Sequence, residues 1–173
     1  MRLNSNPSNK GQTVSKVGNT DKSHIIIEFI GQIEEIIAHL AELGYLIVGK
    51  IDYSIEQIMI DLENIRLEMM TANTENLTRY NITWLEDLIK QYKEHITIKN
   101  EGLPFANNLS AAKATIIKCK VRSAERCFYK LIKEVPVNEL VGEYLNKLSH
   151  YLDLLFILLN VVHKNIVEKG EKR

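Results

Sequence analysis

The sequence predicts an all-α protein, an antiparallel five-helix bundle preceded by a flexible polar N-terminal segment. In five long segments, apolar residues recur at intervals of three and four, which is the period of an amphipathic helix. No stretch of four to eight residues alternates apolar and polar side chains convincingly, as a strand would. The connections between the segments are short, so consecutive helices should lie antiparallel. A chain of 173 residues with 45% hydrophobic residues is sufficient for one domain with its own core.

The N-terminal segment, residues 1–22, is polar, rich in Asn, Ser, Gly and Lys, and without periodicity, which is typical of a flexible tail. It holds a short motif of small, basic and hydroxyl residues: Lys10-Gly11-Gln12-Thr13, then Ser15-Lys16. Glycine lets the backbone approach an anion, lysine adds positive charge, and hydroxyls can bind phosphate oxygens. The full P-loop pattern is missing, so these residues alone leave phosphate binding and a plain tail both open.

The bundle domain is predicted over residues 23–170. Its helices are predicted over residues 23–43, 54–70, 77–95, 109–133 and 138–168. Gly44 is a suitable residue to end the first helix. Ser54-Ile55-Glu56-Gln57 has the form of a capping box and should begin the second. Val135-Pro136 should end the fourth, because proline disfavours helical backbone at the residue before it.

Charge and cysteine content exclude several classes of protein. Lys plus Arg and Asp plus Glu both number 22, so the chain has no excess of positive charge, which nucleic-acid binding would favour. Cys119 and Cys127 lie eight residues apart on one predicted helix, roughly 12 Å along its axis, which is too far for a disulfide. The longest apolar run, Leu154–Leu159, is far too short to cross a bilayer. We therefore expect a cytoplasmic protein with reduced thiols and with neither a membrane nor a nucleic-acid partner.

A stripe of charged residues runs along the fourth predicted helix. At about 100° per residue, one quarter of the helix circumference holds Lys118, Arg122, Glu125, Arg126 and Tyr129. The opposite side is apolar and should be buried: Ile117, Val121, Ala124, Phe128, Leu131 and Ile132. By itself the stripe fits a solvated surface, a subunit contact or an anion site.

No set of residues for acid–base or nucleophilic catalysis is visible. The histidines are scattered without helical ligand spacing: His24, His39, His95, His150 and His163. An enzyme built from this sequence would therefore depend on binding and positioning. Asn146 and Ser149 lie one turn apart on a strongly apolar helix, where a polar side chain needs a hydrogen-bond partner, either in a neighbouring helix or in a ligand.

In sequence order, these motifs resemble the ATP:cob(I)alamin adenosyltransferases whose trimer is built of five-helix bundles. The family pattern Arg-x-x-x-Arg-Arg-Ala-Glu-Arg appears here as Lys118-x-x-x-Arg122-Ser123-Ala124-Glu125-Arg126. The family pattern Tyr-Leu-Asn-Arg-Leu-Ser-Asp appears as Tyr144-Leu145-Asn146-Lys147-Leu148-Ser149-His150. Gly31–Glu35 is similar to the family's Gly-x-x-Asp-Glu. The N-terminal motif is similar to a shortened form of its phosphate loop.

The resemblance implies an enzyme that transfers the 5′-deoxyadenosyl group of ATP to the cobalt of reduced cobalamin and releases triphosphate. It implies catalytic roles for Glu34, Arg122 and Asn146, with Glu34 pairing with Arg122 across a subunit boundary. The implied ATP-binding residues are Lys10, Gly11, Thr13, Lys16, Lys118, Arg122, Glu125, Arg126 and Asn146. Phe105 would line the cobalamin pocket.

The resemblance also implies cofactors and partners. ATP would carry Mg²⁺ on its phosphates, with no certain protein ligand to the metal, and the protein would be a homotrimer with its sites at subunit interfaces. The departures from the family pattern concentrate at functional positions: Glu34 for Asp, Ser123 for Arg, His150 for Asp, and Pro104–Asn108 for the Pro-Gly-Gly loop. They leave an alternative open, a non-catalytic or regulatory bundle that binds ATP or corrin.

Overall fold

The computed structural model describes residues 10–47, 50–72, 74–95 and 105–170. Five helices form the bundle: α1 Ile25–Leu46, α2 Lys50–Met70, α3 Arg79–His95, α4 Leu109–Leu131 and α5 Leu140–Gly170. Two short strands precede them: β1 Gln12–Ser15 and β2 Gly18–Asp21. The predicted all-α five-helix architecture is confirmed. Along the described residues, none of the helices combines the length and apolarity needed to cross a bilayer.

The N-terminal strands correct the prediction that the chain contains no strand. β1 and β2 pair antiparallel, with Thr13 opposite Thr20 and Ser15 opposite Gly18. Gly18 closes the turn at φ +94°, a backbone conformation that other residues adopt with strain. The hydroxyls of Ser15 and Thr20 are hydrogen-bonded at 2.7 Å. This hairpin is held together by backbone hydrogen bonds and a contact between two hydroxyls. Its strands therefore do not need the alternating apolar residues by which a strand is recognised in a sequence.

Two helix ends also differ from prediction. Gly44 does not end α1, which continues to Leu46, because burial of Leu43 and Ile47 outweighs the helix propensity lost at one glycine, roughly 1 kcal/mol. Ser54 does not cap α2, which begins at Lys50. Ser54 is itself buried inside that helix. A capping-box pattern can therefore occur inside a helix when the apolar period extends further towards the N-terminus.

α4 is the central helix of the bundle, because it packs against both α5 and α1, while α2 packs on α1 and α3 packs on α5. Phe29 of α1 meets Phe128 of α4 with ring centroids 5.6 Å apart. As the spacing predicted, α4 buries its apolar side: Ile117, Val121, Ala124, Phe128 and Leu131. Ile132, predicted to be buried with them, is the C-cap residue and stays 36% exposed.

A polar network crosses the core between α2, α3 and α5. Asp61 is fully buried, and its carboxylate accepts hydrogen bonds from Gln57 at 3.0 Å, Asn81 at 2.8 Å and Tyr144 at 3.0 Å. Burial, followed by the charge of Asp61, raises the pKa of the Tyr144 hydroxyl well above its ordinary value, so this group remains a donor. A buried carboxylate is costly without donors, and the contacts with Asn81 and Tyr144 join α2 to α3 and α5.

Candidate functional site

The charged stripe predicted on α4 divides into two parts in the structure. Lys118 turns towards α5 and forms an ion pair with Asp153, with Nζ and Oδ1 2.6 Å apart. Glu125 also faces α5, where its Oε1 accepts a hydrogen bond from Asn146 Nδ2 at 3.1 Å. Asn146 is exposed and free to offer its remaining polar groups to a ligand. The predicted residues Glu125 and Asn146 are thus brought together between two helices.

Arg122 and Arg126 form the other part of the stripe. They lie one turn apart on α4, and both side chains are exposed. Neither arginine forms an ion pair or a side-chain hydrogen bond with any residue in the part of the chain that the structure describes. Two neighbouring guanidinium groups without carboxylate partners give this face a local positive charge, although the whole chain is neutral.

A groove of about 420 Å³ opens between α4 and α5 beside this stripe. It is lined by Phe128, Tyr129, Ile132, Glu139, Glu143 and Asn146. The floor is close-packed, because a Cβ atom at Gly142 would come within 2.9 Å of the Phe128 ring. Glu143 is held by Arg79, whose Nη1 lies 2.7 Å from each carboxylate oxygen. The groove therefore combines an apolar floor with fixed hydrogen-bond acceptors.

The two acidic groove residues were missed by the sequence reasoning. Glu139, Glu143 and Asn146 are spaced by four and three, so they lie on one helical face. This spacing was available in the sequence as a signal.

Glu34 lies on a different flank of the bundle within one subunit. Its carboxylate is 3.6 Å from the Arg66 guanidinium of α2, and Arg66 also forms two short bonds to Glu63. The hydrogen bonds that Arg66 donates to Glu63, together with the charges of Glu63 and Glu34, raise the pKa of Arg66, although burial opposes this. The expected pair between Glu34 and Arg122 is not formed within the chain, and a pair between subunits stays a prediction.

The predicted phosphate-binding residues of the N-terminal motif lie on and around the hairpin. Lys10 and Gly11 are exposed before β1, with Gly11 at φ +78°, and Thr13 is half-buried on β1. The Lys16 amide donates to the Met69 carbonyl at 2.9 Å, which docks the hairpin turn on the end of α2. Residues 1–9, which precede this motif, lie outside the described residues.

The hairpin and the α4 face remain separate in one subunit. Lys16 lines a cavity of about 540 Å³ together with residues 135–138 of the α4–α5 connection. Over the described residues, no hydrogen bond or ion pair joins Lys10, Thr13 or Lys16 to Arg122. The structure therefore groups the predicted ATP-binding residues into two sets rather than one.

Phe105, the predicted cobalamin residue, is 80% exposed. It precedes Asn107 and Asn108, which are hydrogen-bonded to Asn160 and Leu159 near the far end of α5. Asn108 also caps α4, because its Oδ1 accepts from the Ala111 amide at 2.9 Å. Residues 101–104, the rest of the predicted loop up to Pro104, lie outside the described residues. The sequence reasoning missed these asparagine contacts, although Asn before an apolar-periodic segment is a cap signal.

No group of three or more His, Cys, Asp or Glu side chains that could hold a metal ion is present among the residues described.

The helical-bundle fold of the chain is similar to that of solved PduO-type adenosyltransferases. It superposes with a TM-score of 0.81 on a variant PduO-type ATP:corrinoid adenosyltransferase of Lactobacillus reuteri in complex with ATP, which is 20% identical. That match covers 94% of this chain and 96% of the other. A phenylalanine-to-alanine variant from the same organism, complexed with cobalamin and ATP, gives a TM-score of 0.80 at 21% identity, with the same coverage.

The chain belongs to the cobalamin adenosyltransferase family, whose model matches residues 5–162. Its curated relatives include the corrinoid adenosyltransferase of Bacillus subtilis, 28% identical over 87% of this chain and 82% of the relative. A cobalamin adenosyltransferase of Cupriavidus metallidurans is 27% identical over 87% and 79%. These matches confirm the predicted family, and with it the enzyme class and the activity predicted from the motifs, corrinoid adenosyl transfer.

Proposed function

We propose that this chain transfers the 5′-deoxyadenosyl group of ATP to the cobalt of reduced cobalamin, with the α4–α5 face as its nucleotide wall. The observation that carries the proposal is the pair of exposed arginines, Arg122 and Arg126, beside the Glu125–Asn146 contact. In this reaction the electron pair of the reduced cobalt forms a bond to C5′. The C5′–O5′ bond breaks, and its electron pair leaves with triphosphate. The cobalt is the nucleophile, so the protein needs no nucleophilic side chain.

The protein must stabilise the charge that grows on the triphosphate as it leaves. Guanidinium groups fixed on a helix can donate bidentate hydrogen bonds to phosphate oxygens, and they act most strongly where negative charge increases in the transition state. Arg122 and Arg126 fit this task because their donors are not used by carboxylates in the described chain. Lys118 is bound to Asp153 and would contribute after exchanging that partner.

The residues that line the groove support one orientation of ATP. Glu139 would repel phosphates, while the charge of Glu143 is largely cancelled by Arg79. The oxygens of both residues can still accept hydrogen bonds from ribose hydroxyls or the adenine amino group. The Tyr129 ring, 48% exposed at the edge of the groove, can stack on a base. We therefore place the nucleoside in the groove and the phosphates towards Arg122.

We also propose a homotrimer in which the hairpin of one subunit completes the wall of its neighbour. Lys10, Gly11, Thr13 and Lys16 bear groups suited to phosphates, but they do not contact the α4 wall in their own chain. Ile116, 44% exposed on α4, adds apolar surface suited to a subunit contact. Glu34 of a neighbouring subunit would then release Arg66 and pair with Arg122.

Mg²⁺ would enter on the ATP phosphates, where it neutralises charge on the leaving group. Magnesium retains waters and needs few protein oxygens, so the Thr13 hydroxyl suffices as a nearby ligand or water partner. The free thiol of Cys119, exposed on the surface, supports a reducing, cytoplasmic setting.

The test is direct. Protein, ATP, Mg²⁺ and chemically reduced cobalamin should give the light-sensitive spectrum of adenosylcobalamin, with less product when a chelator removes the metal. ATP should raise the melting temperature, because a ligand bound only by the folded state stabilises it. Light scattering should report the mass of three chains. A flat spectrum together with an ATP-induced rise in melting temperature would contradict catalysis and support the nucleotide-binding alternative.

A further inference from the structure

The segment that carries Phe105 is held by an asparagine clamp on α5. Asn160 is fully buried, and its Oδ1 accepts a hydrogen bond from the Asn107 amide at 2.9 Å. Its backbone carbonyl accepts a second bond from Asn107 Nδ2 at 3.2 Å. One α5 residue thus contacts both the backbone and the side chain of a residue fifty-three positions away.

Asn108 extends the clamp to α4. Its Oδ1 accepts from the Ala111 amide at 2.9 Å, which caps the helix, while its Nδ2 donates to the Leu159 carbonyl at 3.0 Å. The same Nδ2 also donates to Asn107 Oδ1 at 2.7 Å. The start of α4, the Phe105 segment and this part of α5 are therefore joined by a continuous set of hydrogen bonds.

Phe105 needs such support, because its own side chain is 80% exposed and its burial cannot fix its position. The chain is anchored two residues after Phe105, at the Asn107 amide, so less entropy would be lost when this exposed ring covers an apolar ligand. The clamp also connects Phe105 to α4, the helix that bears Arg122.

We infer that Asn160 is a positioning residue for cobalamin, which it serves by holding the Phe105 segment through Asn107 and Asn108. The inference rests on the proposed function and on the role in the cobalamin pocket that the family resemblance implies for Phe105. Asn160 touches neither substrate in this account. Its effect should appear in the use of cobalamin and not in the use of ATP, because the clamp lies at the Phe105 end of α4.

The chemistry of the amide predicts how substitutions should rank. Asn160 Nδ2 is buried and has no hydrogen-bond partner among the described residues, whereas Oδ1 accepts the Asn107 amide. Asn160→Asp keeps that acceptor with nearly the same shape, in the protonated form that burial favours, and Asn160→Ala removes it. The clamp therefore predicts a smaller rise in the cobalamin KM for the aspartate variant than for the alanine variant.

The experiment measures KM for cobalamin and KM for ATP separately in the adenosylation assay. Asn160→Ala should raise the cobalamin KM about tenfold and leave the ATP KM within about twofold, because a displaced binding wall loses preorganisation. The cobalamin KM of Asn160→Asp should lie closer to the wild-type value than to that of Asn160→Ala. Phe105→Ala should raise the cobalamin KM at least as much, since it removes the wall itself.

Asn81→Ala is the matched control, because Asn81 is another asparagine that holds a buried contact, the Asp61 network. It should lower the melting temperature as Asn160→Ala does, without changing the cobalamin KM. If Phe105→Ala raises the cobalamin KM while Asn160→Ala does not, the inference about Asn160 is overturned and the role of Phe105 stands. An unchanged KM in Phe105→Ala overturns the role of Phe105, and the inference with it. Equal rises of both KM values in Asn160→Ala would mean general loss of structure and also overturn it.

If Asn160→Ala does not fold, Asn107→Ala decides on the same criterion. Asn107 is exposed and its substitution removes one side-chain bond of the clamp. We expect a smaller rise, confined to the cobalamin KM; no rise would overturn the inference.

Discussion

The two flanks of α4 carry similar charges but use them differently. On the flank that faces α1, Lys113 pairs with Glu42, and Lys120 pairs with Glu35 at 2.6 Å. On the outer flank, Arg122 and Arg126 have no carboxylate partner among the residues that the structure describes. From the sequence alone, both flanks would be interpreted as an ordinary helix surface.

The difference separates charges that join helices from charges that are available to a ligand. A lysine whose carboxylate partner lies on the next helix contributes modestly to packing, and its charge is largely cancelled. An arginine without a partner keeps its field and its fork of donors. An anionic substrate would thus bind on the unpaired flank, which bears Arg122 and Arg126. Variants on the paired flank, which bears Lys113 and Lys120, serve as controls for variants on the unpaired flank.

The largest expected effect is that of Arg122→Ala, which should lower kcat for adenosylcobalamin formation by about 10²–10³-fold. The reason is the loss of a donor that, in the proposed site, stabilises the leaving triphosphate. The melting temperature should barely change, because Arg122 is exposed and contacts no described residue through an ion pair. Steady-state kinetics and thermal unfolding of the purified variant check both parts.

Lys120→Ala is the control for that variant, since it removes a cation two residues away that is already paired with Glu35. Its kcat should stay within a factor of about two. Similar losses of activity in both variants would show that the two flanks do not differ in function.

The second prediction concerns the dependence of stability on pH at the paired flank. The hydrogen bond from Lys113, aided by its charge, lowers the pKa of Glu42 below the ordinary value of 4.5, with His39 adding to the effect. Because the folded pKa is depressed, this contribution is present above the unfolded pKa and is lost as the pH falls through the folded pKa. The melting temperatures of wild type and Lys113→Met should therefore differ at neutral pH and converge in acid.

A Lys130→Met variant provides the comparison, because Lys130 is exposed on the same helix and forms no ion pair with the described residues. Its melting temperature should follow that of wild type at each pH. A gap between Lys113→Met and wild type that persists in acid would contradict the assigned role of Glu42.

The smallest expected effect is a difference in thiol reactivity between the outer and inner sides of α4. Cys119 is exposed, while burial, followed by the charge of Glu28, raises the pKa of Cys127 to about 11. At pH 8 only about one Cys127 thiol in a thousand would be ionised, and the thiolate is the reactive form. Native Cys119→Ser protein should therefore resist a thiol reagent until it is unfolded, as measured by absorbance. Rapid labelling of that native variant would mean that the inner side of α4 opens to solvent.

Much of the fold followed from the spacing of apolar residues. The side of α4 that contains Val121 and Ala124 was predicted to be buried because periodicity reports directly which face leaves water. Helix ends were less predictable. Gly44 and Ser54 carry local signals to stop and to start, but the free energy of burying their neighbours outweighs such signals. The hairpin escaped prediction because it has backbone pairing without apolar alternation.

The family motifs identified the candidate residues without describing how they meet. Tyr144 and Asn146 belong to one motif of adjacent letters, yet Tyr144 is buried against Asp61 and Asn146 faces the groove beside Glu125. Two residues of separation turn a helical side chain by about 200°, so neighbours in a motif need not share a site. The clamp between Asn107 and Asn160 joins segments far apart in the chain, and no local pattern contains it.

The sequence by itself determined the five helices, the buried side of α4 and the family, because these depend on period, residue type and motif order. Only the tertiary structure decided which charges of α4 are cancelled. Lys118, Lys120 and Arg122 look alike in sequence, but the carboxylates that neutralise the two lysines come from other helices. Which helix lies beside which is set by packing of the whole core, so the free charge of Arg122 could be recognised only once its neighbours were in place.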